Sequence, residues 1–393
     1  KTRYSLKEQA EWGGDSERAA SYRGTIRGNY PSAVSFAREV EKPLRAQEKQ
    51  GKVLVLEEKV AKERYGDRLA VASLSALEKS VAEDGEEEVR VLLDGTHGVD
   101  TNRYIKVLDG GTSPTAQDLK TCMRHQASRG TPHFGITLDV EGAHQVVAVR
   151  PFDWPLQACQ VEPGGPIFLF KRGTFGIASA AYWWGRLAAA ADRAGLTVLG
   201  PSNPLWALLF ADDFDLTSEG GQYARSLLAF VYWLVVLGFP ISWHKTRGGF
   251  TYSWVGLEKS LRDWSLGISQ SRADWVDGWL SKTIEASVVN TGEFGEALGR
   301  LVFVYGALQY DRPFLAPLFA FKALHPAGVT RRLPLYALVV LRWLRGLLRK
   351  RWTFPLMRRA TIDGAILRVD AKAEGLVVAV GGPHIAGNGQ VDV

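Results

Sequence analysis

Two adjacent acids sit between apolar runs in Leu208-Leu209-Phe210-Ala211-Asp212-Asp213-Phe214-Asp215-Leu216, and few arrangements accommodate that pattern. The flanks, Leu205 to Phe210 and Phe214 to Thr217, read as two short strands, which puts the acids at a tight hairpin tip. Like charges held together are costly unless a cation neutralises them. Hard divalent cations such as Mg²⁺ prefer carboxylate oxygens and retain water and substrate phosphates. Taken alone, the Asp-Asp pair is common and suits an acidic surface turn better.

A second acid narrows the choice. In His133-Phe134-Gly135-Ile136-Thr137-Leu138-Asp139-Val140 an aspartate ends a buried-type strand, 73 residues before Asp212. The intervening strands and helix are the kind that bring both strands into one sheet. Three acids at adjacent strand tips hold two metals roughly 3.5–4 Å apart, the geometry for in-line phosphoryl transfer. In such a site one metal would activate a primer 3′-hydroxyl and the other would steady the triphosphate; the reaction needs little beyond positioning and charge neutralisation.

Around these acids the chain reads as α+β. Residues 1 to about 32 are polar and Gly-rich, and a helix-like stretch from Ser32 to about Tyr65 is expected to break at Pro43 and Gly51. Strands are expected at Leu69–Leu77 and Val89–Leu93, with the acidic segment Glu83 to Glu88 as their exposed tip. Further strands are expected at Gly135–Asp139, Gln145–Val149, Gln157–Val161 and Ile167–Lys171. Helices are expected at Ile177–Ala194, closed by Gly195, and at Gly221–Leu237; beyond Ser271 the pattern is almost wholly helical.

Charge points the same way. The net charge is +6 and the pI about 9.2, a mild excess that suits a polyanionic partner. From Pro313 to Ile362 there are ten Lys or Arg residues and no Asp or Glu. Such segregation fits a nucleic-acid-facing surface, and alternatively a solvated helix face. Two cysteines, Cys122 and Cys159, are too few for a disulfide framework or a zinc set. They suit an intracellular, reducing setting, cytoplasmic or nuclear. No membrane span is expected, because the apolar stretch Leu333–Leu348 is short and interrupted by Arg342 and Arg345. The first residue is Lys1, and the chain reads as a fragment of a longer product.

At these residues the chain resembles the reverse transcriptases of retroelements and retroviruses, over about Leu69 to Trp352. Phe210-Ala211-Asp212-Asp213 is similar to the aromatic-x-Asp-Asp box, and Leu138-Asp139-Val140-Glu141-Gly142-Ala143-His144 to the first catalytic strand. Thr174-Phe175-Gly176-Ile177-Ala178-Ser179-Ala180-Ala181 resembles the segment leading into the helix under template and incoming nucleotide. Arg90, Asp94 and Asn102 resemble the fingers motif, and Ser242-Trp243-His244-Lys245-Thr246 the lysine motif. Trp254-Val255-Gly256-Leu257 resembles the primer-grip turn.

The resemblance implies a right-handed fingers, palm and thumb polymerase with an antiparallel palm sheet. Its divisions would be an N-terminal extension at 1–65, fingers and palm at 66–265, and a helical thumb or connection at 266–358. It implies an RNA-directed DNA polymerase, a nucleotidyltransferase from a retroelement polyprotein, that extends an RNA/DNA primer-template with deoxynucleoside triphosphates. Asp139, Asp212 and Asp213 would be the catalytic carboxylates on Mg²⁺, or Mn²⁺ in its place. Arg90, Ala143, His144, Phe175, Gly176 and Lys245 would line the nucleotide. Arg90 also suits a strand-edge ion pair, Gly176 an ordinary helix-entry glycine and Lys245 a solvated lysine. His144 departs from the family, which usually carries Phe or Tyr there as a wall against a ribose 2′-hydroxyl.

Leu298–Phe303 and Tyr310–Leu315 resemble the thumb of elements related to tyrosine-recombinase retrotransposons. Arg342, Arg345, Arg349, Lys350 and Arg351 would form a duplex-facing basic side of one helix. Residues 359–393 resemble a truncated ribonuclease H-like start, with Asp370 as one carboxylate or, equally, an ordinary strand-end acid. The alternative function is a non-catalytic nucleic-acid-binding relic of the same fold.

Overall fold

Alternating apolar and polar residues in His133–Asp139 and Asp213–Glu219 make two-faced strands, and the sheet they form organises the chain. In the computed structural model the described residues are 28–81, 87–96, 99, 101–105, 107, 109–308, 312–350 and 352–356, with short strand segments between 366 and 392. Segment 1–27, residues 82–86 of the acidic tip, Tyr310, Asp311 and Arg351 lie outside them.

The N-terminal part comprises α1 (Pro31–Ser35), α2 (Ala37–Lys49), β1 (Val53–Leu56), α3 (Glu58–Tyr65), β2 (Val71–Val81) and β3 (Glu87–Asp94). The expected break at Pro43 does not occur. α2 runs through it because Val40 and Leu44 are fully buried against β1 and β3, which offsets the missing N–H. The expected helix is instead interrupted by β1, whose β-branched and Leu residues pair antiparallel with β6 (Ile167–Phe170). With β5 (Ala158–Gln160) these strands form a five-stranded sheet in the order β1-β6-β5-β2-β3.

The central part holds α4 (Ala116–Ser128), started by a Thr115/Asp118 capping box, and β4 (His133–Asp139). α5 (Ala178–Leu199), β7 (Leu205–Phe210), β8 (Asp213–Glu219), α6 (Tyr223–Val236) and β9 (Arg247–Gly249) follow. Strands β7-β8-β4-β9 make an antiparallel sheet in that order. One face is apolar: Leu138, Phe214 and Leu216 are buried with Trp184, Ala188, Leu227 and Phe230 of α5 and α6.

Two expectations fail here. Gln145–Val149 is not a strand: Gly142 takes a left-handed φ of 57°, Ala143–Val146 coil into one helical turn, and only Ala148 bridges to Arg172. Gly195 does not close α5, which continues to Gly200 at φ 85°. Gly195 is a contact glycine, since a Cβ there would press on Trp233 at 2.7 Å and Phe230 at 2.8 Å, so its missing side chain lets α6 approach.

Beyond this, β10 (Thr251–Trp254), β11 (Leu257–Ser260) and β12 (Ser265–Ile268) form a meander. Four helices follow, α7 (Gln270–Ala286), α8 (Thr291–Ala307), α9 (Ala316–Ala323) and α10 (Leu335–Lys350). The short pair β13 (Val288–Asn290) and β14 (Thr330–Arg332) lies among them, and β15 (Thr353–Pro355) closes the sheet β10-β11-β12-β15. Leu119 and Met123 of α4 join this sheet and these helices in the largest apolar core. Asp370–Glu374 and Val377–Gly381 pair as a hairpin near the end. Among the described residues no helix is long and apolar enough to cross a membrane.

Candidate active site

The sheet β7-β8-β4-β9 brings the acids together by register. Asp139 is the last residue of β4 and pairs across the ladder with Asp213, the first residue of β8. Phe210 also pairs with Asp213, so Ala211 and Asp212 form the two-residue turn between β7 and β8. Ala211 adopts φ 52°, unusual for a residue with a Cβ and worth on the order of 1 kcal/mol of strain. Trp184 Nε1 donates to the Ala211 carbonyl at 2.8 Å, and Val140 N–H donates to the Asp212 carbonyl at 3.0 Å, which holds the strained turn. Sequence reasoning missed Trp184; its only signal was a polar-tipped aromatic on the buried side of a helix.

Lys245 lies at the same edge. Ser242 N–H donates to the Asp139 carbonyl at 2.9 Å, and the following turn, Trp243–Lys245, swings Lys245 Nζ to 2.9 Å from Asp139 Oδ2. The hydrogen bond to Asp139 raises the pKa of the Lys245 ammonium, so it stays charged. Burial, then the charges of Asp212 and Asp139, push the Asp213 carboxyl up to about 6, with Lys245 opposing them. Among the described residues no three His, Cys, Asp or Glu side chains already converge around one metal-sized point. The chemistry of the donor set nonetheless suits a hard divalent cation: three carboxylates, mutual repulsion and one ammonium against Asp139.

Next to the acids, Arg90, Phe175 and His144 form one contiguous group. The His144 ring packs on Phe175 at 4.6 Å between centroids, and the Arg90 guanidinium lies 5.0 Å from the same ring. Among the described residues Arg90 makes no ion pair. Burial lowers the His144 pKa against the opposing pull of Asp212, so its imidazole is neutral near pH 7. Its Nδ1 is buried without a hydrogen-bond partner among the described residues. Ala143 is buried beside it.

Asn102 pins the Phe175–Gly176 turn from both sides, donating to the Gly176 carbonyl at 2.7 Å and accepting from Ala178 N–H at 2.8 Å. Gly176 has φ 91°, and a Cβ there would collide with the Leu93 carbonyl of β3. That close backbone approach is why glycine occupies the position. Asp94 accepts from Tyr30 Oη at 2.6 Å and from Thr96 N–H at 2.9 Å, which makes it a local anchor.

The turn between β10 and β11 is two residues long, with Trp254 paired to Leu257 and Val255 and Gly256 at φ 47° and 75°. Trp254 and Leu257 are core residues, 4% exposed each, so Val255 and Gly256 supply the accessible surface of the turn. On α10, Arg345 and Arg349 each place Nε 2.9 Å from Asp277 Oδ1 of α7. Part of the expected basic face is thereby engaged within the chain. Arg342 and Lys350 are exposed and make no ion pair among the described residues.

The sheet, its acidic turn and the helical C-terminal part together define a chain with a reverse-transcriptase fold. No protein-family model and no curated protein matches the sequence. Among solved structures, the foamy viral protease-reverse transcriptase dRH in complex with double-stranded DNA is similar, with a TM-score of 0.60 and 13% identity. The foamy viral protease-reverse transcriptase in complex with an RNA/DNA hybrid is similar too, with a TM-score of 0.61 and 13% identity. Both likenesses cover 93% of this chain, which spans 56% and 43% of those two chains.

Proposed function

We propose that the chain is the polymerising region of a reverse transcriptase, with fingers and palm at 66–265, thumb or connection at 266–358, and the start of a ribonuclease H-like domain after 358. The observation that carries this reading is the register of Asp139 against Asp213, with Asp212 in the turn and Lys245 beside them. The reaction is addition of a deoxynucleotide to a primer: the 3′-hydroxyl oxygen bonds to the α-phosphorus and the bond to pyrophosphate breaks.

Asp139, Asp212 and Asp213 would hold Mg²⁺ or Mn²⁺, which when bound neutralises phosphoryl charge and eases deprotonation of the hydroxyl. The chain's own groups do the rest. Arg90 presents a planar fork of donors to the triphosphate. Lys245, kept protonated, offers a hydrogen-bond donor and a charge to the departing phosphate oxygens. His144 on Phe175 forms a bulky, neutral wall for the sugar, with the Asn102-pinned turn as its floor. Exposed Arg342 and Lys350 suit contacts to a duplex backbone.

Primer extension on RNA and DNA templates, with deoxynucleotides and with ribonucleotides, tests the reading. The wild-type chain is expected to extend primers on RNA with deoxynucleotides and divalent cation. Asp139→Asn and Asp212→Asn should each lose roughly a hundredfold or more in rate while still unfolding cooperatively as folded proteins. Duplex binding without extension by the wild type would instead identify a nucleic-acid-binding relic.

A further inference from the structure

A buried charge network lies behind the acids on the sheet face away from α5 and α6. Asp215 is two residues into β8 from Asp213 and therefore on the same face. Its carboxylate accepts from Lys259 Nζ at 2.7 Å and from Tyr252 Oη at 2.6 Å. Lys259 also donates to Thr217 Oγ1 at 3.0 Å. The Lys259 and Asp215 side chains are each 1% exposed.

Tyr252 and Lys259 face each other directly across β10 and β11. They belong to the hairpin whose two-residue turn is Val255–Gly256. The tyrosine ring closes on β4 because Gly135 has no side chain; a Cβ there would collide with the ring. Both members of one cross-strand pair thus converge on one carboxylate of the strand that begins with Asp213. The glycine that admits them belongs to the strand that ends with Asp139.

Stability alone does not account for the choice of residues. An apolar pair of similar volume in such a place is commonly neutral or better, because two charges need not be desolvated. Direction is what the charged pair adds. Apolar side chains tolerate a slide of one surface over another, whereas the hydrogen bonds from Tyr252 and Lys259 to Asp215 and Thr217 admit one placement. The anchor lies two residues from the strand ends Trp254 and Leu257 that flank the turn, roughly 7 Å along the strands. A displacement of about 1 Å in a reacting geometry costs on the order of a hundredfold in rate.

We propose that Lys259 and Asp215, with Tyr252, are positioning residues that fix the Trp254–Leu257 turn relative to Asp139 and Asp213, and so set where the primer end lies before the acids. This inference rests on the polymerase reading.

The test compares the wild type, the Asp215→Leu/Lys259→Met double variant and Tyr252→Phe, each with thermal unfolding and steady-state extension at saturating duplex. The double variant avoids leaving one charge buried alone and should melt near the wild type. Its kcat is expected to fall at least tenfold, with the KM for deoxynucleotide and the Kd for duplex within about twofold. Tyr252→Phe keeps the ion pair and should lose about threefold to tenfold in kcat. It decides the matter if the double variant does not fold. A folded double variant, or failing that Tyr252→Phe, with wild-type kcat overturns the inference and leaves the network a stabilising element only. A wild-type chain that extends no primer overturns the polymerase reading and this inference with it.

Discussion

Replacing Asp213 with Asn should make the metal-chelated protein more stable while impairing it as an enzyme. In the folded chain the Asp213 carboxyl is pushed up to about 6 from the ordinary 3.8, by burial and by the Asp212 and Asp139 charges. At 1.36 kcal/mol per pH unit, that displacement corresponds to about 3 kcal/mol. Asp213 is only half-buried, and solvent screening reduces the figure to about 1–1.5 kcal/mol.

The sign follows from proton binding. A carboxyl with a raised folded pKa binds its proton more tightly folded than unfolded, so stability is lost as pH rises between 3.8 and about 6. Below that window both states are protonated and the loss is absent; above it the loss is complete. The Asn variant carries no such loss. In chelator it should therefore unfold like the wild type near pH 4 and resist urea by about 1–1.5 kcal/mol more at pH 7.5. Millimolar Mg²⁺ should narrow the gap, because the cation relieves more repulsion among three acids in the wild type than between the two that remain in the variant. Equal stability at pH 7.5, or a gain of the same size at both pH values, would refute the idea that the acids repel one another across the β4–β8 register.

Gly176→Ala places a Cβ against the Leu93 carbonyl at φ 91°, and should lower stability by about 2–4 kcal/mol, read as a shift of the urea midpoint; an unmoved midpoint would show that the turn is not held as described. Arg342→Gln with Lys350→Gln should flatten the salt dependence of duplex binding by about 0.9 in log–log slope for each phosphate no longer neutralised. Asp277→Asn should steepen it by freeing Arg345 and Arg349, and an unchanged slope in both variants would make α10 a solvated helix.

Much of the site was legible from residue order because strand chemistry is local. An apolar run ending in Asp139 and a break at Ala211-Asp212-Asp213 mark strand ends by period alone, whereas the ladder puts Asp213 in β8 and shortens the turn to two residues. Arg90, Asn102, Phe175 and Gly176 were legible only by resemblance, since nothing in their spacing says that Asn102 bonds to the Gly176 carbonyl. Asp215 had a visible signal, an acid inside the apolar run Phe214 to Leu216. Its partner Lys259 lies 44 residues away on a different sheet, and no periodicity links them.

The sequence by itself determined the strand and helix periods around the acids and the break at Ala211-Asp212-Asp213, since these follow from side-chain alternation and backbone preference within a few residues. Tertiary structure decided whether Pro43 interrupts a helix, whether Gly195 ends one, and whether Arg345 and Arg349 face outward or toward Asp277. Those outcomes depend on burial against residues far along the chain. A helix continues through a proline when its apolar face has a surface to cover. A glycine stays inside a helix when a neighbour needs the space of its missing side chain, and an arginine turns inward when a carboxylate stands within reach.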